Sequence, residues 1–441
     1  MARRVHVIGA GLAGLAAAVQ LQRRGAQVVL YEAAGHAGGR CRSYYDDALG
    51  TTIDNGNHFV MSGNQATLGY ARAIGAADEL AGPASPEFSF VDVASGRRWS
   101  VRFSPGRLPL WIFDAAARVP GTQPADYLAL APLFFAKPGR TMAQTMRCDG
   151  VLWDRLLRPL FLAALKVEPR QGTAELAAAV ARETFAAGGQ ACRPLVAKNG
   201  LGSAFVDPAL RMLQHGGATI RLGARLEKIG FAGRAAKAAA HGEAKSAVGG
   251  FVDPRERAAA LTFADGTDIA LEPGESVVLA VPPEAAQTLV PGMRAPNVYS
   301  AAVNAHFAVA PPHGMPPLTG LVNATAEWLY AFDARLSATA SGAERLVDMP
   351  REALAKTIWA EVAQAAGLPV DPMPAWQIVS ENRAAFAALP SQEMLRPAAK
   401  TRWNNLVLAG DWTATGLPAT IEGAIRSGQK AADTLLNQPM N

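Results

Sequence analysis

The sequence predicts an α/β protein in which a doubly wound, Rossmann-like domain is interleaved along the chain with an α+β second domain. Three observations predict it. Residues 5–8 read as a short buried strand, 9–14 as a glycine turn, 15–24 as a helix closed by Gly25, and 27–31 as a second strand ending on Glu32; that is a βαβ unit in about 30 residues. Far downstream, 276–280 and 406–409 are uninterrupted apolar runs of the kind found in parallel strands, the first stopped by Pro282-Pro283 and the second entering Gly410-Asp411. Between these pieces the pattern changes, to wide apolar helical faces at 126–187 and to strand-like alternation at 298–309 and 318–332.

The remaining elements follow in order. Segments 87–92 and 98–103 form a hairpin around Ala94-Ser-Gly96, and helices rich in Leu, Ala, Phe and Trp follow near 126–135, 150–165 and 173–187. A helix at 201–215 is closed by Gly216-Gly217, with strands at 218–222, 225–231 and 259–263. The stretch 232–257 is Ala/Gly-rich and weakly periodic, and reads as a mobile hairpin tip without assigned function. Residues 351–366 are helical, as is the segment from Thr420 to Leu436. The cofactor domain is therefore expected in three parts, 1–70, 196–290 and 401–441. The second domain falls in two, a largely helical cap at 71–195 and an antiparallel sheet plus helix at 291–400.

Composition narrows the function classes. Half of the 441 residues are hydrophobic, 18% are charged, and 42 Gly with 30 Pro point to many tight turns. A net charge of +5 suits phosphate-bearing cofactors or anionic membrane surfaces. No Lys/Arg block is interleaved with aromatics, so nucleic acid is not expected as a partner. Cys41, Cys148 and Cys192 are scattered without CxxC spacing, as in a reduced cytoplasmic protein with neither a disulfide framework nor a metal site. Arg3-Arg4 before the uncharged run from Val5 to Gln22 imitates an export signal, yet Gly9, Gly11 and Gly14 divide that run into strand, turn and helix. No other stretch reaches the roughly 20 apolar residues of a membrane span.

Three motifs carry the chemistry. Gly9-Ala-Gly11-Leu-Ala-Gly14 is GxGxxG: the first glycine permits the tight turn, the second lets a diphosphate approach backbone, and the third lets helix pack on strand. The helix then offers unpaired N–H groups and a positive dipole end. Glu32 lies where a carboxylate accepts from ribose hydroxyls. In the second motif, Gly38-Gly39-Arg40, backbone can pass close to a cofactor and Arg40 can pair bidentately with a phosphate. Asp54-Asn-Gly56-Asn57-His58 is a polar turn presenting N–H donors. In the third, strand 406–409 delivers Asp411 to a cofactor, and the helix beginning near Thr420 aims its N-terminus at the ring end. Small residues at 423, 424, 427 and 428 allow that helix to pack closely on the first βαβ unit.

Together these segments resemble the FAD-dependent amine oxidase/phytoene desaturase superfamily, over almost the whole chain and including Leu279-Ala-Val-Pro282-Pro, where such chains cross back to the substrate domain. Asp54-Asn-Gly-Asn-His58, Ser62-Gly-Asn64, Arg107-Leu-Pro109, Arg118-Val-Pro120 and the ending Gly410-Asp-Trp-Thr413…Gly423-Ala are similar to its squalene-associated branch, the hydroxysqualene dehydroxylases of bacterial hopanoid and squalene pathways. The stretch 232–257 is longer than that family's usual hairpin. The resemblance implies FAD, held by Gly9, Gly11, Ala13, Gly14, Glu32, Gly39, Arg40, Gly56, Asn57, Asp411, Thr420 and Ile421, with the backbone of Leu226 at the adenine. No cysteine lies in a flavin-linking context, so the FAD is expected to be non-covalent.

The implied reaction replaces the hydroxyl of hydroxysqualene by hydrogen, giving squalene. Hydroxide leaves poorly, so a proton is needed at the departing oxygen. The resemblance places the loop of His58 at the flavin ring, and with an ordinary pKa near 6.5 His58 is the candidate donor, a satisfied structural histidine being the alternative. A polyisoprenoid substrate requires an apolar tunnel, for which Trp111, Phe113, Phe134, Phe135, Trp153 and Phe161 are candidates, ordinary core being the alternative. The same substrate implies peripheral attachment to the inner face of a membrane. A carotenoid-type desaturase running hydride the other way stays open, as does, more remotely, a non-catalytic prenyl-lipid carrier on the same fold. The electron donor that reduces FAD is not encoded in any motif.

Overall fold

Parallel pairing organises one half of the molecule. The structure, a computed structural model, describes residues 3–232 and 256–437. Strand Arg4–Ile8 lies at the centre of a five-stranded parallel sheet. Gln27–Glu32 and then Thr219–Leu222 lie on one side of it, Ser276–Leu279 and then Leu406–Leu408 on the other. Val5, Val7, Leu30, Val278 and Val407 are wholly buried, as strands covered on both faces must be. Sheet growth reverses between Arg4–Ile8 and Ser276–Leu279, and a ligand crevice is expected beyond the carboxyl ends of strands at such a switch point. The first helix, Leu12–Arg23, starts inside the glycine motif, three residues earlier than its apolar pattern suggests. It packs on the helix Ile421–Leu436 so closely that a Cβ at Gly428 would stand 2.1 Å from the Ala13 carbonyl oxygen.

The second sheet has seven strands in the order Trp376–Phe386, Tyr299–Phe307, Arg335–Ser341, Trp328–Phe332, Leu318–Val322, Glu87–Asp92, Arg97–Arg102. It is antiparallel except where Leu318–Val322 runs parallel to Glu87–Asp92, so the early hairpin forms the edge of a sheet otherwise built from the later segment. Helix Arg351–Ala366 covers one face, packing Leu354, Ile358 and Val362 against Leu336, Ala338 and Ala340. The alternate residues Ser337, Thr339 and Ser341 therefore project from the other face.

The cap departs from regular helix. Pro124–Phe135 is a 3-10 helix, consistent with Pro132, which cannot donate to the preceding turn. A single π turn occupies Trp153–Leu157, ahead of the helix Arg158–Leu165; another, outside the cap at Gly202–Val206, precedes the helix Asp207–His215. The six candidate tunnel residues separate. Trp153 and Phe161 are each 1% exposed and belong to the packed core, whereas Phe113 and Phe135 are 67% and 83% exposed. Trp111 and Phe134 are partly buried and pack against that core. Strand Leu226–Ala232 pairs with Arg257–Phe263, and the expected mobile tip beyond them lies outside the described residues.

Candidate active site

The three glycines of the first motif meet three different surroundings. Gly9 has φ +104°, and a Cβ there would approach the Ala280 carbonyl oxygen to 2.3 Å, so only glycine fits the turn beside strand Ser276–Leu279. A Cβ at Gly14 would stand 1.9 Å from the Gly9 oxygen, which fixes the contact between helix and turn. A Cβ at Gly11 would meet nothing within 4 Å. Gly11 thus faces open space at the helix N-terminus, and no side chain caps that end. Gly38 donates to the Ala10 carbonyl at 2.9 Å and bridges Gly11, laying the Gly38-Gly39-Arg40 loop along the same cradle.

Glu32 closes one end of this cradle. Its two carboxylate oxygens accept from the N–H groups of Ala10 at 2.8 Å and Ala34 at 2.9 Å. Gly223 and Ala224 donate to the carbonyls of Ala34 and Glu32, which brings Leu226, at the start of its strand, beside the same loop.

Arg40 and Asp411 meet at the other end. One Arg40 amino group donates to both Asp411 oxygens at 2.7 Å, and the other donates to the Ala384 carbonyl at 2.8 Å. Arg40, predicted to pair with a phosphate, thus spends one amino group on the buried Asp411 carboxylate, while its side chain stays 45% exposed. Asp411 in turn lies on a loop held by the buried Arg396, which donates to the carbonyls of Asp411 and Thr413 and to Thr415 Oγ1. Thr420 caps the following helix by accepting from Gly423 N–H at 3.0 Å, while the Ile421 side chain is buried in the core.

The polar turn ties the two halves together. Asp54 accepts from Ser43 Oγ at 2.5 Å and from Leu201 N–H at 2.8 Å, making it a tether. Asn57 donates through its backbone to Asn304 Oδ1 at 3.1 Å and through Nδ2 to Thr339 Oγ1 at 3.1 Å, while its own Oδ1 is buried without a donor. His58 Nδ1 lies 2.8 Å from the Gly56 carbonyl. A carbonyl only accepts, so Nδ1 carries the hydrogen and Nε2 is left with a lone pair. Burial, reinforced by Lys166, pulls His58 down to about 4. The expected ordinary imidazole is therefore absent; His58 is neutral near pH 7 and presents an acceptor, which makes it a poor acid.

These residues fit a flavin dinucleotide. An open glycine cradle lies at a helix N-terminus, a carboxylate stands at one end, and an unpaired buried acceptor stands near the other. A family model described as flavin containing amine oxidoreductase matches residues 12–436. The chain belongs to this family. Among its relatives, a hydroxysqualene dehydroxylase from Rhodopseudomonas palustris is 50% identical over 436 residues, covering 99% of each chain. Another hydroxysqualene dehydroxylase, from Sinorhizobium fredii, is 50% identical over 438 residues, again covering 99% of each. An oxidoreductase from Methanosarcina mazei shares the family fold, with a TM-score of 0.67 at 13% identity over 98% of this chain and 100% of its own. FAD is the cofactor of this family member.

Sequence reasoning missed Arg396, Asn304, Thr339 and Glu422. Glu422 accepts from Thr67 N–H at 2.8 Å and from Arg426, joining the last helix of the family fold to Gln65–Ala73. The alternation Leu336-Ser-Ala-Thr-Ala-Ser341 was the available signal for Thr339. Asn304 and Glu422 find partners far along the chain, in Asn57 and Thr67, whereas those of Arg396 lie within 19 residues on an irregular loop that carries no periodic signal.

Proposed function

We propose that the chain is a hydroxysqualene dehydroxylase, reductively converting hydroxysqualene to squalene. Identity of 50% over nearly the full length to proteins of that name carries the reading. When bound, reduced FAD supplies the hydride that takes the place of the hydroxyl. The N–H groups at Gly11, Leu12 and Ala13 would hold the diphosphate, Glu32 the adenosine ribose, and Leu226 backbone the adenine. Asp411, oriented by Arg40 and Arg396, would meet the ribitol side, with Gly56-Asn57 and the Thr420–Ile421 helix start at the ring. Binding is non-covalent: all three cysteines are free and buried, and burial pushes the Cys41 thiol, beside Arg40, up to about 12, leaving no thiolate to attach. The test is anaerobic. Chemically reduced protein mixed with hydroxysqualene should yield squalene and oxidised flavin; flavin that stays reduced would overturn the reading. Oxidised protein that consumes phytoene would establish the desaturase instead.

We further infer that it works against an anionic membrane surface. Leu108, Leu110, Phe113, Leu128 and Phe135 are all at least 60% exposed within one stretch of the cap, flanked by exposed Arg107, Lys137 and Arg140. That combination suits shallow insertion with basic contacts to headgroups. Among the described residues no helix is long and apolar enough to span a bilayer.

A further inference from the structure

The cap helix Arg158–Leu165 ends on Lys166, whose backbone is left-handed with φ +60°, a conformation costly for a residue with a Cβ. From there Lys166 Nζ reaches the seven-stranded sheet and donates to Ser341 Oγ at 3.5 Å. Ser341 lies two residues beyond Thr339 on one strand, so the two side chains share a face about 7 Å apart. Thr339 is the residue gripped by Asn57. The Lys166 ammonium therefore sits one strand repeat from the loop proposed to face the flavin ring.

Charged neighbours come from three elements. Glu327, ahead of strand Trp328–Phe332, accepts from Ser341 N–H at 2.7 Å and faces Lys166. His58 approaches from the polar turn, and Arg158, on the lysine's own helix, faces Glu327. Phe59 and Trp328, adjacent to His58 and Glu327, lie with ring centroids 5.0 Å apart and put an apolar wall on this side.

We propose that Lys166 is the proton donor of the dehydroxylation, with Glu327 as the residue that positions and keeps its charge; this rests on the hydroxysqualene reading above. The C–O bond breaks with its electron pair going to oxygen, and the Lys166 ammonium gives that oxygen a proton, so that water leaves. The bound reduced cofactor would supply the hydride, with its two electrons, that the carbon takes up, and the Lys166 amine recovers its proton from solvent. Burial lowers Lys166 to about 8, with Glu327 opposing the drop, so the ammonium persists at neutral pH yet gives up its proton more readily than an ordinary lysine. Burial also raises Glu327, to about 7. His58, neutral and presenting a lone pair, can accept a hydrogen bond from the substrate hydroxyl but cannot protonate it.

The experiment compares wild type with Lys166→Met and Glu327→Gln, each carrying FAD, in anaerobic single turnovers of reduced protein with hydroxysqualene. Wild-type flavin reoxidation should hold steady below pH about 8 and fall above it as the ammonium deprotonates. Lys166→Met should retain FAD, lose at least about 10²-fold in rate, and lose that alkaline fall. Glu327→Gln should move the fall to lower pH. A second readout needs no turnover: among carbon-13-methylated lysines of the oxidised protein, one resonance should titrate near 8, vanish in Lys166→Met and shift in Glu327→Gln. Lys166→Met reoxidising within a few-fold of wild type with the same pH profile would overturn the proposal, as would all lysines titrating in the ordinary range. Wild-type protein that is never reoxidised by hydroxysqualene would overturn the function itself and the donor with it.

Discussion

Glu32 serves the protein directly and, in the site proposed above, the ligand as well. Its oxygens hold the N–H groups of Ala10 and Ala34, so the carboxylate fixes the glycine turn and would still offer lone pairs to a ribose. Glu32→Ala should lower FAD occupancy by a free energy of about 1–3 kcal/mol while the chain stays folded. The ratio of flavin to protein absorbance checks this, and full occupancy would dismiss the ribose assignment. His58 makes the opposite case, a side chain whose position suggests chemistry that its environment withdraws. With its ring pulled down to about 4, it protonates only in acid, so His58→Gln should leave flavin reoxidation at pH 7 within a few-fold of wild type. A loss of about 10² or more would return the proton to His58 and count against Lys166.

At the scale of elements, legibility tracks the range of the interactions. The parallel strands were readable because burial on both faces leaves an unbroken apolar run, as in Ser276–Leu279 and Leu406–Leu408. Helix Arg351–Ala366 was readable from its own period. The 3-10 character of Pro124–Phe135 was not, because its Leu, Ala and Phe mimic an apolar helix and only Pro132 warns otherwise. The pairing of Glu87–Asp92 with Leu318–Val322 joins segments remote in sequence, and no local pattern encodes it. The site divides the same way: glycines announce themselves, whereas the grip of Asn57 on Thr339 and the reach of Lys166 to Ser341 exist only after folding. Close helix packing is the most exposed of these features to mutation. Gly428→Val would drive a side chain into the Ala13 carbonyl and should cost about 1–3 kcal/mol or more, read as a fall in thermal midpoint together with loss of flavin.

For the whole molecule the outcome to check is where it sits. If the exposed residues of the cap dip into lipid, the protein should float with vesicles containing anionic lipid, and salt should weaken this by screening Arg107, Lys137 and Arg140. Replacing Leu128 and Phe135 together by Ser should reduce flotation while leaving flavin content unchanged. Equal flotation of that variant, or equal binding to uncharged vesicles, would assign the exposed residues another role.

The two extremities of the described chain are knotted to one another: the Arg3 guanidinium bonds the Leu435 carbonyl, and Gln20 Nε2 donates to Asp433 Oδ1 at 2.6 Å. Synthesis runs in one direction, so the glycine turn leaves the ribosome almost a full chain length before the helix that must cover it. Until then the nascent sheet lacks strand Leu406–Leu408 on one edge, and the groove around Ala13 and Ala17 lies bare for wrong partners. In the proposed site, cofactor capture is thereby postponed until the helix Ile421–Leu436 has been made. A chain terminated before Leu406 should emerge colourless, and yellow colour becomes a report that strand Leu406–Leu408 and the helix after it have been made.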